Sequence, residues 1–153
     1  MIEFRREPPD APAGRDLYAA YLALVRDRLP GFTPTEDIFP EPGAFTGPGA
    51  AWLVLYEDGE PVACGGLRPL EPGVGEIKRM FVREHARRRG HGRRLLAELE
   101  EIARATGHRR VRLYTTEVLT EARRLYESAG YELARSPQVD GRQDYWLQKD
   151  LSG

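Results

Sequence analysis

Cysteine is nearly absent from this sequence, since Cys64 is the only one in 153 residues. A single cysteine cannot form an intramolecular disulfide, and it excludes a zinc site built from cysteine ligands. The N-terminal residues have no apolar stretch typical of secretory signal peptides, and no apolar run is long enough to span a bilayer. We therefore expect a cytoplasmic protein that has no membrane partner.

A strong net charge is also missing, because 23 basic residues balance 24 acidic ones and the formal net charge is -1. No overall field therefore attracts the protein to nucleic acid or to a membrane surface. An RNA-binding role for the arginine-rich segment 83–94 would usually come with interleaved aromatic residues, and this segment has none. We therefore predict no nucleic-acid partner.

Hydrophobic residues make up 41% and charged residues 31% of the chain, as in an ordinary globular protein with one core. We expect one domain over residues 1–153. A strand at 2–6 precedes a helix that ends at Pro30 and whose apolar residues share one face, at Leu17, Tyr21, Leu24 and Val25. Residues 31–49 are rich in proline and glycine and predict a long irregular loop.

The rest of the sequence predicts further strands and two helices. Three strand candidates come first, at 51–56, 61–68 and 75–82. An Asp-Gly turn at 57–60 joins the first two, and the adjacent Gly65 and Gly66 indicate a bulge or a close backbone approach. Amphipathic helices follow at 92–106 and 121–129, with strands at 111–115, 131–134 and 144–151. This order predicts a mixed α/β (α+β) fold, with helices packed on a largely antiparallel sheet.

The most informative segment, 82–94, links a strand to a helix. Gly90 and Gly92 stand just before that helix, where unpaired N–H groups and the helix dipole attract anions. Glycine lets a backbone approach a phosphate closely, and the neighbouring arginines add positive charge. A P-loop would need Gly-Lys-Ser/Thr, and a dinucleotide fingerprint would need a small residue where Leu95 stands. The segment therefore predicts a pyrophosphate site of another kind, and the alternative is a solvated basic loop.

Two motifs carry a resemblance to a known family. Arg87-x-x-Gly90-x-Gly92 resembles the acetyl-CoA pyrophosphate loop, Arg/Gln-x-x-Gly-x-Gly/Ala, of the GCN5-related N-acetyltransferase (GNAT) superfamily. The segment 121–131, EARRLYESAGY, is similar to the superfamily's second motif, in which a helical tyrosine is followed by glycine and an aromatic residue. The resemblance extends from about residue 52 to 151. It implies a single-domain fold with a mixed, mostly antiparallel sheet that is splayed between its fourth and fifth strands and flanked by helices.

The resemblance also implies what the chain binds. Acetyl-CoA would be the co-substrate, without a metal, and would be held by a core at about 51–151, with the acceptor side at about 1–50. The pantetheine arm would pair with the backbone of Met80, Phe81 and Val82. The pyrophosphate would bind the loop residues Arg87, Arg88, Arg89, Gly90, His91, Gly92 and Arg93. A homodimer is compatible with the resemblance.

Two residues are candidates for the reaction that the resemblance implies, the direct transfer of an acetyl group to a primary amine. Glu76 would accept the amine's proton, directly or through water; the alternative is an ion pair with Lys78 on the same strand face. Tyr126 would protonate the leaving thiolate, and its alternative is a purely structural place in the core. The superfamily often has asparagine where Leu119 stands, so one side-chain contact to the cofactor is missing.

The sequence constrains the acceptor least. Glu36, Asp37 and Glu41 suit a cationic amine, whereas Arg68 and Arg79 suit an acceptor carboxylate. Solvated surface residues are the alternative for both sets. The acceptor is therefore expected to be a small-molecule or peptide amine whose identity stays open.

A non-catalytic acetyl-CoA-binding or sensor module is the alternative function. It would keep the loop but would need neither Glu76 nor Tyr126, so the presence of both residues favours the enzyme. His85, His91 and His108 lack the carboxylate or cysteine spacing that is typical of a metal site. We expect these histidines to be exposed loop residues.

Overall fold

The computed structural model of the chain describes residues 1–31 and 42–152. Within these ranges it has eight strands and three α-helices, namely β1 (Ile2–Arg6), α1 (Pro12–Arg28), β2 (Ala51–Glu57), β3 (Glu60–Glu71), β4 (Val74–Val82), α2 (His91–Ala105), β5 (Arg110–Thr116), α3 (Thr120–Ser128), β6 (Glu132–Arg135), β7 (Gln138–Val139) and β8 (Arg142–Asp150). The predicted strands and helices are all present, within a few residues of their expected bounds. The hydrophobic pattern did not predict β7, because two residues are too few to show a period.

The strands form one twisted sheet in the order β1-β2-β3-β4-β5-β8-β6, and β7 pairs with β8. Only the contact between β4 and β5 is parallel among the pairings of the described strands. A parallel pair needs a crossover connection, and α2 provides it between β4 and β5. The predicted mixed, mostly antiparallel α/β fold is therefore confirmed.

The sheet opens between β4 and β5. These strands pair from Val74 with Arg110 as far as Ile77 with Leu113. Both strands continue beyond that point, β4 to Val82 and β5 to Thr116, without pairing to each other. The backbone of β4 beyond Ile77 therefore has one edge free of ladder partners from β5, as the predicted splay requires.

A bulge in β4 lies just beyond this opening. Cys64 pairs with Phe81 but Gly66 pairs with Lys78, so two residues of β4 oppose the single residue Gly65. One of the two is Arg79, whose φ of 60° lies in the left-handed region. A bulge bends its strand and increases the local twist. The predicted irregularity is therefore present opposite Gly65, with the extra residue in β4.

Helices cover both faces of the sheet. Leu95 and Leu99 of α2 are fully buried in a core that includes Ile77 of β4. On the opposite face Leu17 of α1 packs in a second core with Trp52 of β2. Burying one such leucine contributes roughly 1.5–3 kcal/mol, so these two cores fix the sheet between the helices. No helix of the described ranges is long and apolar enough to cross a bilayer.

Candidate active site

A cavity of about 800 Å³ opens beside the predicted phosphate loop. It lies where β4 leaves β5, and we call it the loop cavity. Nine of the ten residues predicted to bind the cofactor line it, namely Met80, Phe81, Val82, Arg87, Arg88, Gly90, His91, Gly92 and Arg93. The structure thus brings most of the predicted set together around one space, and Arg89 lies outside the lining.

The loop reaches α2 through two left-handed backbone conformations. Gly90 occupies the N-cap position of α2 with a φ of 80°, and Arg88 has a φ of 66°. Glycine adopts this conformation freely, whereas other residues lose roughly 1–2 kcal/mol in it. The N–H of Arg94 donates to the carbonyl of Gly90 at 3.1 Å, which closes the first turn. The preceding N–H groups lie at the positive end of the helix, in the cavity wall.

Gly92 allows the first turn of α2 to approach α3 closely. A Cβ atom at this position would lie 2.9 Å from Cδ2 of Leu125 and 3.6 Å from Cγ2 of Val82. The first distance is shorter than real Cβ contacts, so a side chain here would have to displace Leu125. The second glycine of the motif is therefore explained by packing as well as by access to the cavity.

A carboxylate at the start of α3 gathers two arginines at the edge of the loop cavity. Arg28 of α1 donates two hydrogen bonds to Glu121, one of them 2.6 Å long. The hydrogen bonds from Arg28 lower the pKa of Glu121 to about 2 against the opposing effect of burial. Arg87 lies 3.9 Å from the same carboxylate, and its Nε donates to the carbonyl of Val82 at 3.1 Å. Glu121 therefore connects α1 with α3 and helps to hold Arg87 beside the cavity.

The expectation that all three histidines are exposed is wrong for two of them. His91 is 2% exposed, because the first residue of α2 points back to the end of β2, where its Nε2 lies 2.8 Å from Glu57. Its Nδ1 is buried without a hydrogen-bond partner among the described residues. Arg89 also pairs with Glu57, which explains its position outside the cavity. His108 is buried against the carbonyl of Gly49, at 3.0 Å.

A second cavity, of about 520 Å³, lies on the side of the sheet that α1 covers. We call it the strand cavity. Its walls include β4, β5 and β8, and the C-terminal part of α1 closes it from above. Five residues line both cavities, namely Tyr21, Met80, Leu119, Ala122 and Tyr126. The two spaces therefore meet at the opening of the sheet.

Glu76 lies in the strand cavity, and its ion-pair partner is Arg68. The side chain is 3% exposed, and Nε of Arg68 donates to its Oε1 at 2.8 Å. Arg68 is its cross-strand neighbour on β3, whereas Lys78 follows the last pairing between β4 and β5. The predicted alternative of an ion pair with Lys78 is therefore wrong. The second oxygen of Glu76 accepts no hydrogen bond from a described residue.

Tyr126 lies where the two cavities meet. It is 5% exposed, and its ring centroid lies 6.0 Å from that of Tyr131, so its ring packs in the core. Its hydroxyl makes no hydrogen bond within the described residues. Burial, with a smaller contribution from Tyr21, raises the pKa of Tyr126 above its usual range. The hydroxyl of Tyr126 therefore carries its proton at neutral pH.

A polar network in the strand cavity was not predicted from the sequence. Asp144 of β8 is fully buried and accepts hydrogen bonds from the Tyr114 hydroxyl and from Nε of Arg142, the latter at 3.1 Å. Burial and the bond to Asp144 raise the pKa of Tyr114 to about 12. The rings of Tyr114 and Trp146 meet edge to face, 4.8 Å apart. Alternation along β5 and β8 places these residues on one face, but only the pairing of the strands brings them together.

The predicted acidic set Glu36, Asp37 and Glu41 lies outside the described residues. Within 1–31 and 42–152, no three or more histidine, cysteine, aspartate or glutamate residues are arranged to hold a metal ion.

Known proteins resemble this chain in sequence and in fold. An uncharacterised N-acetyltransferase of Escherichia coli is 36% identical over 106 residues, which are 67% of this chain and 60% of the relative. The alignments span about two to three fifths of the length of the curated relatives that the chain matches. Among solved structures, a GNAT-family acetyltransferase of Staphylococcus aureus is 16% identical, with a TM-score of 0.81 over 99% of this chain and all of that one.

A second solved structure, a GNAT-family acetyltransferase of Elizabethkingia anophelis, contains bound acetyl-CoA. It is 17% identical, with a TM-score of 0.71 over 97% of both chains. At these identities the two structures show a common fold. A model of the family described as "Acetyltransferase (GNAT) family" matches residues 15–131 of the sequence. This match covers most of the chain, and the chain belongs to the GNAT family of acetyltransferases.

Proposed function

We propose that the protein transfers an acetyl group from acetyl-CoA directly to a primary amine. One observation carries this proposal: two cavities meet at Tyr126, one ending at the N-terminus of α2 and the other containing the carboxylate of Glu76. Such an arrangement lets a donor and an acceptor approach each other from opposite sides of the opened sheet. A transfer without a covalent enzyme intermediate needs this meeting of two substrates.

The loop cavity fits the donor. Backbone N–H groups at the start of α2 would bind the pyrophosphate, with Arg87, Arg88 and Arg93 as surrounding positive charges. The β5-facing edge of β4 at 80–82 would pair with the amides of the pantetheine arm, because β5 does not occupy it. That a structure of the same fold holds acetyl-CoA supports the choice of donor.

The strand cavity supplies groups for the acceptor's chemistry. A free alkylamine has a pKa of about 10, so it must lose a proton before it attacks. Glu76 would take this proton, directly or through water, through the oxygen that Arg68 does not engage. The amine nitrogen then bonds to the acetyl carbon while the carbon–sulfur bond breaks. Tyr126 would donate a proton to the sulfur, so that coenzyme A leaves as a thiol. The second proton, which the nitrogen loses as the amide forms, would restore the Tyr126 hydroxyl through solvent.

The bulge in β4 supports a further role for the backbone. Backbone N–H groups near the end of β4, at 80–82, would polarise the thioester carbonyl as negative charge develops on its oxygen. The left-handed conformation of Arg79 redirects the strand just before these groups. The proposed division of the chain follows, with residues 1–50 contributing mainly to the acceptor side and 51–151 mainly to the donor side.

The proposal is tested with acetyl-CoA and a panel of amines, by following release of the free thiol and by mass spectrometry of the products. We expect acetyl-CoA to bind and at least one class of amine to accelerate thiol release. Binding of acetyl-CoA without acceleration by any amine would instead support the sensor module. Absence of acetyl-CoA binding, measured by calorimetry, would refute the proposal altogether.

A further inference from the structure

The charged residues of the strand cavity do not balance. Four basic and two acidic side chains line it, namely Arg68, Lys78, Arg79, Arg142, Glu76 and Asp144. Each acid has its own arginine, since Arg68 pairs with Glu76 and Arg142 pairs with Asp144. Lys78 and Arg79 are left over. Neither side chain makes an ion pair or a hydrogen bond with another residue of the ranges that the structure describes.

These two cations lie beside the proposed chemistry. Lys78 is two residues after Glu76, so their side chains project on one face of β4, roughly 7 Å apart at the backbone. Arg79 follows in the bulge, directly before Met80, where the two cavities meet. An anion bound to this pair would therefore lie within a few ångströms of an amine held between Glu76 and the end of β4.

The environment of Lys78 is unfavourable without an anion. Burial is the largest effect that lowers its pKa, and the charges of Arg68 and Arg79 lower it further, while Glu76 opposes them. A bound carboxylate would compensate both the burial and the repulsion.

We infer that the acceptor is an amine that carries its own carboxylate a few bonds away, as in a free amino acid, and that Lys78 and Arg79 bind this carboxylate. The inference rests on the proposed function, because it names the substrate class of the same site. A polyamine or a cationic aminoglycoside would be repelled by the two cations. Such acceptors would be favoured if the acidic side chains at 36, 37 and 41 set the charge of the site instead.

The test compares amino acids with their own carboxamides as acceptors of the full-length protein, with spermidine as a cationic acceptor. The carboxamides are the less basic amines and are more often neutral, so intrinsic reactivity favours them. We expect the opposite order, with kcat/KM about tenfold to a hundredfold higher for the amino acids than for their carboxamides. This factor corresponds to the free energy of one hydrogen bond between charged groups. Lys78→Gln and Arg79→Gln should remove this preference by raising KM for the carboxylate only. Lys78→Arg should retain it, as should Arg124→Gln, which removes an exposed arginine outside both cavities.

Several results would overturn the inference. Wild-type preference for the carboxamides or for spermidine would do so, as would Lys78 and Arg79 variants that slow every acceptor equally. If acetyl-CoA is bound but no amine is acetylated, calorimetry with the same amino acids and carboxamides tests whether the carboxylate subsite exists. No selective binding of the carboxylates then refutes the subsite, whereas selective binding lost in both variants supports it even though the proposed reaction fails. If acetylation occurs without carboxylate preference, the reaction stands and the subsite does not.

Discussion

The two cavities that meet at Tyr126 present different groups to a ligand. Besides its arginines, the loop cavity presents backbone groups at a helix N-terminus and a free strand edge, with Gly90 and Gly92 keeping side chains out of the way. The strand cavity presents charged side chains, and its polar character depends on which of them are paired. Binding by backbone groups should tolerate most side-chain substitutions, but not one that places a new side chain inside the cavity. A site made of ion pairs should respond to many single substitutions.

Filling the loop cavity should have the largest effect. Gly92→Glu introduces a side chain where a Cβ alone would lie 2.9 Å from Leu125, and it adds a negative charge beside the proposed pyrophosphate. We expect the affinity for acetyl-CoA to fall at least about a hundredfold, measured by calorimetry, because steric and electrostatic costs add. Arg94→Glu is the control, since it adds a carboxylate on the exposed side of the same turn.

Two outcomes separate the causes of this loss. Gly92→Ala should weaken binding less than Gly92→Glu, because it keeps the crowding but not the charge. Circular dichroism must show that both variants fold. A folded Gly92→Glu variant with undiminished affinity would contradict the position of the pyrophosphate and with it the contrast between the two cavities.

The loop cavity could be predicted from the sequence, and most of the strand cavity could not. A glycine pair before an amphipathic helix is a local pattern, and local patterns determine how a helix N-terminus is built. The pair of Arg68 and Glu76 depends instead on the register of two antiparallel strands. The loss of a β5 partner opposite Lys78 depends on where the sheet opens. Spacing along the chain shows neither fact, and for that reason the alternative ion pair of Glu76 was assigned to Lys78 instead of Arg68.

The same reason explains the other differences. Asp144 and Tyr114 are 30 residues apart and meet only because β5 and β8 pair. His91 belongs to a loop motif rich in arginine, and nothing in that motif shows that its ring is turned toward Glu57. The order of strands and helices, by contrast, was predicted almost completely, because hydrophobic period and turn residues are local.

Removing the proposed base in the strand cavity should have the second largest effect. Glu76→Gln keeps the shape and the hydrogen bond from Arg68 but cannot accept a proton. We expect kcat to fall roughly a hundredfold at neutral pH, the usual contribution of a general base. The loss of activity should become smaller as the pH approaches the pKa of the free amine, about 10, because the acceptor then loses its proton to solvent. The measurement is a pH profile of kcat for both proteins.

A different profile would assign Glu76 a structural role. If the variant loses the same factor of activity at every pH, the carboxylate positions other groups and does not accept the proton. Arg68→Gln serves as the matched variant, since it leaves the carboxylate in place but removes its partner. It should lower activity less than Glu76→Gln and should keep the wild-type dependence on pH.

Removing the hydroxyl of Tyr126, where the two cavities meet, should have a smaller effect than Glu76→Gln. Tyr126→Phe preserves the buried ring and removes only the proposed proton donor. We expect kcat to fall about tenfold with little change in KM, because a thiolate is a moderately good leaving group without assistance. Tyr131→Phe is the control, since its hydroxyl bonds to Glu100 at 2.9 Å in the core behind the site. It should lower the free energy of unfolding but not kcat, and the reverse result for either tyrosine would contradict the assignment.

The smallest effect is expected at the ion pair that connects α1 and α3. Glu121 of α3 pairs with Arg28 of α1, but its side chain is half exposed, so solvent screens the interaction. We expect Glu121→Gln to lower the free energy of unfolding at pH 7 by no more than about 1 kcal/mol, measured by urea denaturation. Glu98→Gln removes an exposed carboxylate of α2 and should cost less.

The dependence on pH gives this small effect a recognisable sign. The folded-state pKa of Glu121 is lowered to about 2, below the value of about 4.3 expected in the unfolded chain. Its stabilising contribution is therefore fully present above about pH 4.3 and is lost as the pH falls toward 2. The difference in unfolding free energy between wild type and Glu121→Gln should shrink in that window. A difference that stays constant from pH 7 to pH 3 would mean that Arg28 does not stabilise the charged form of Glu121.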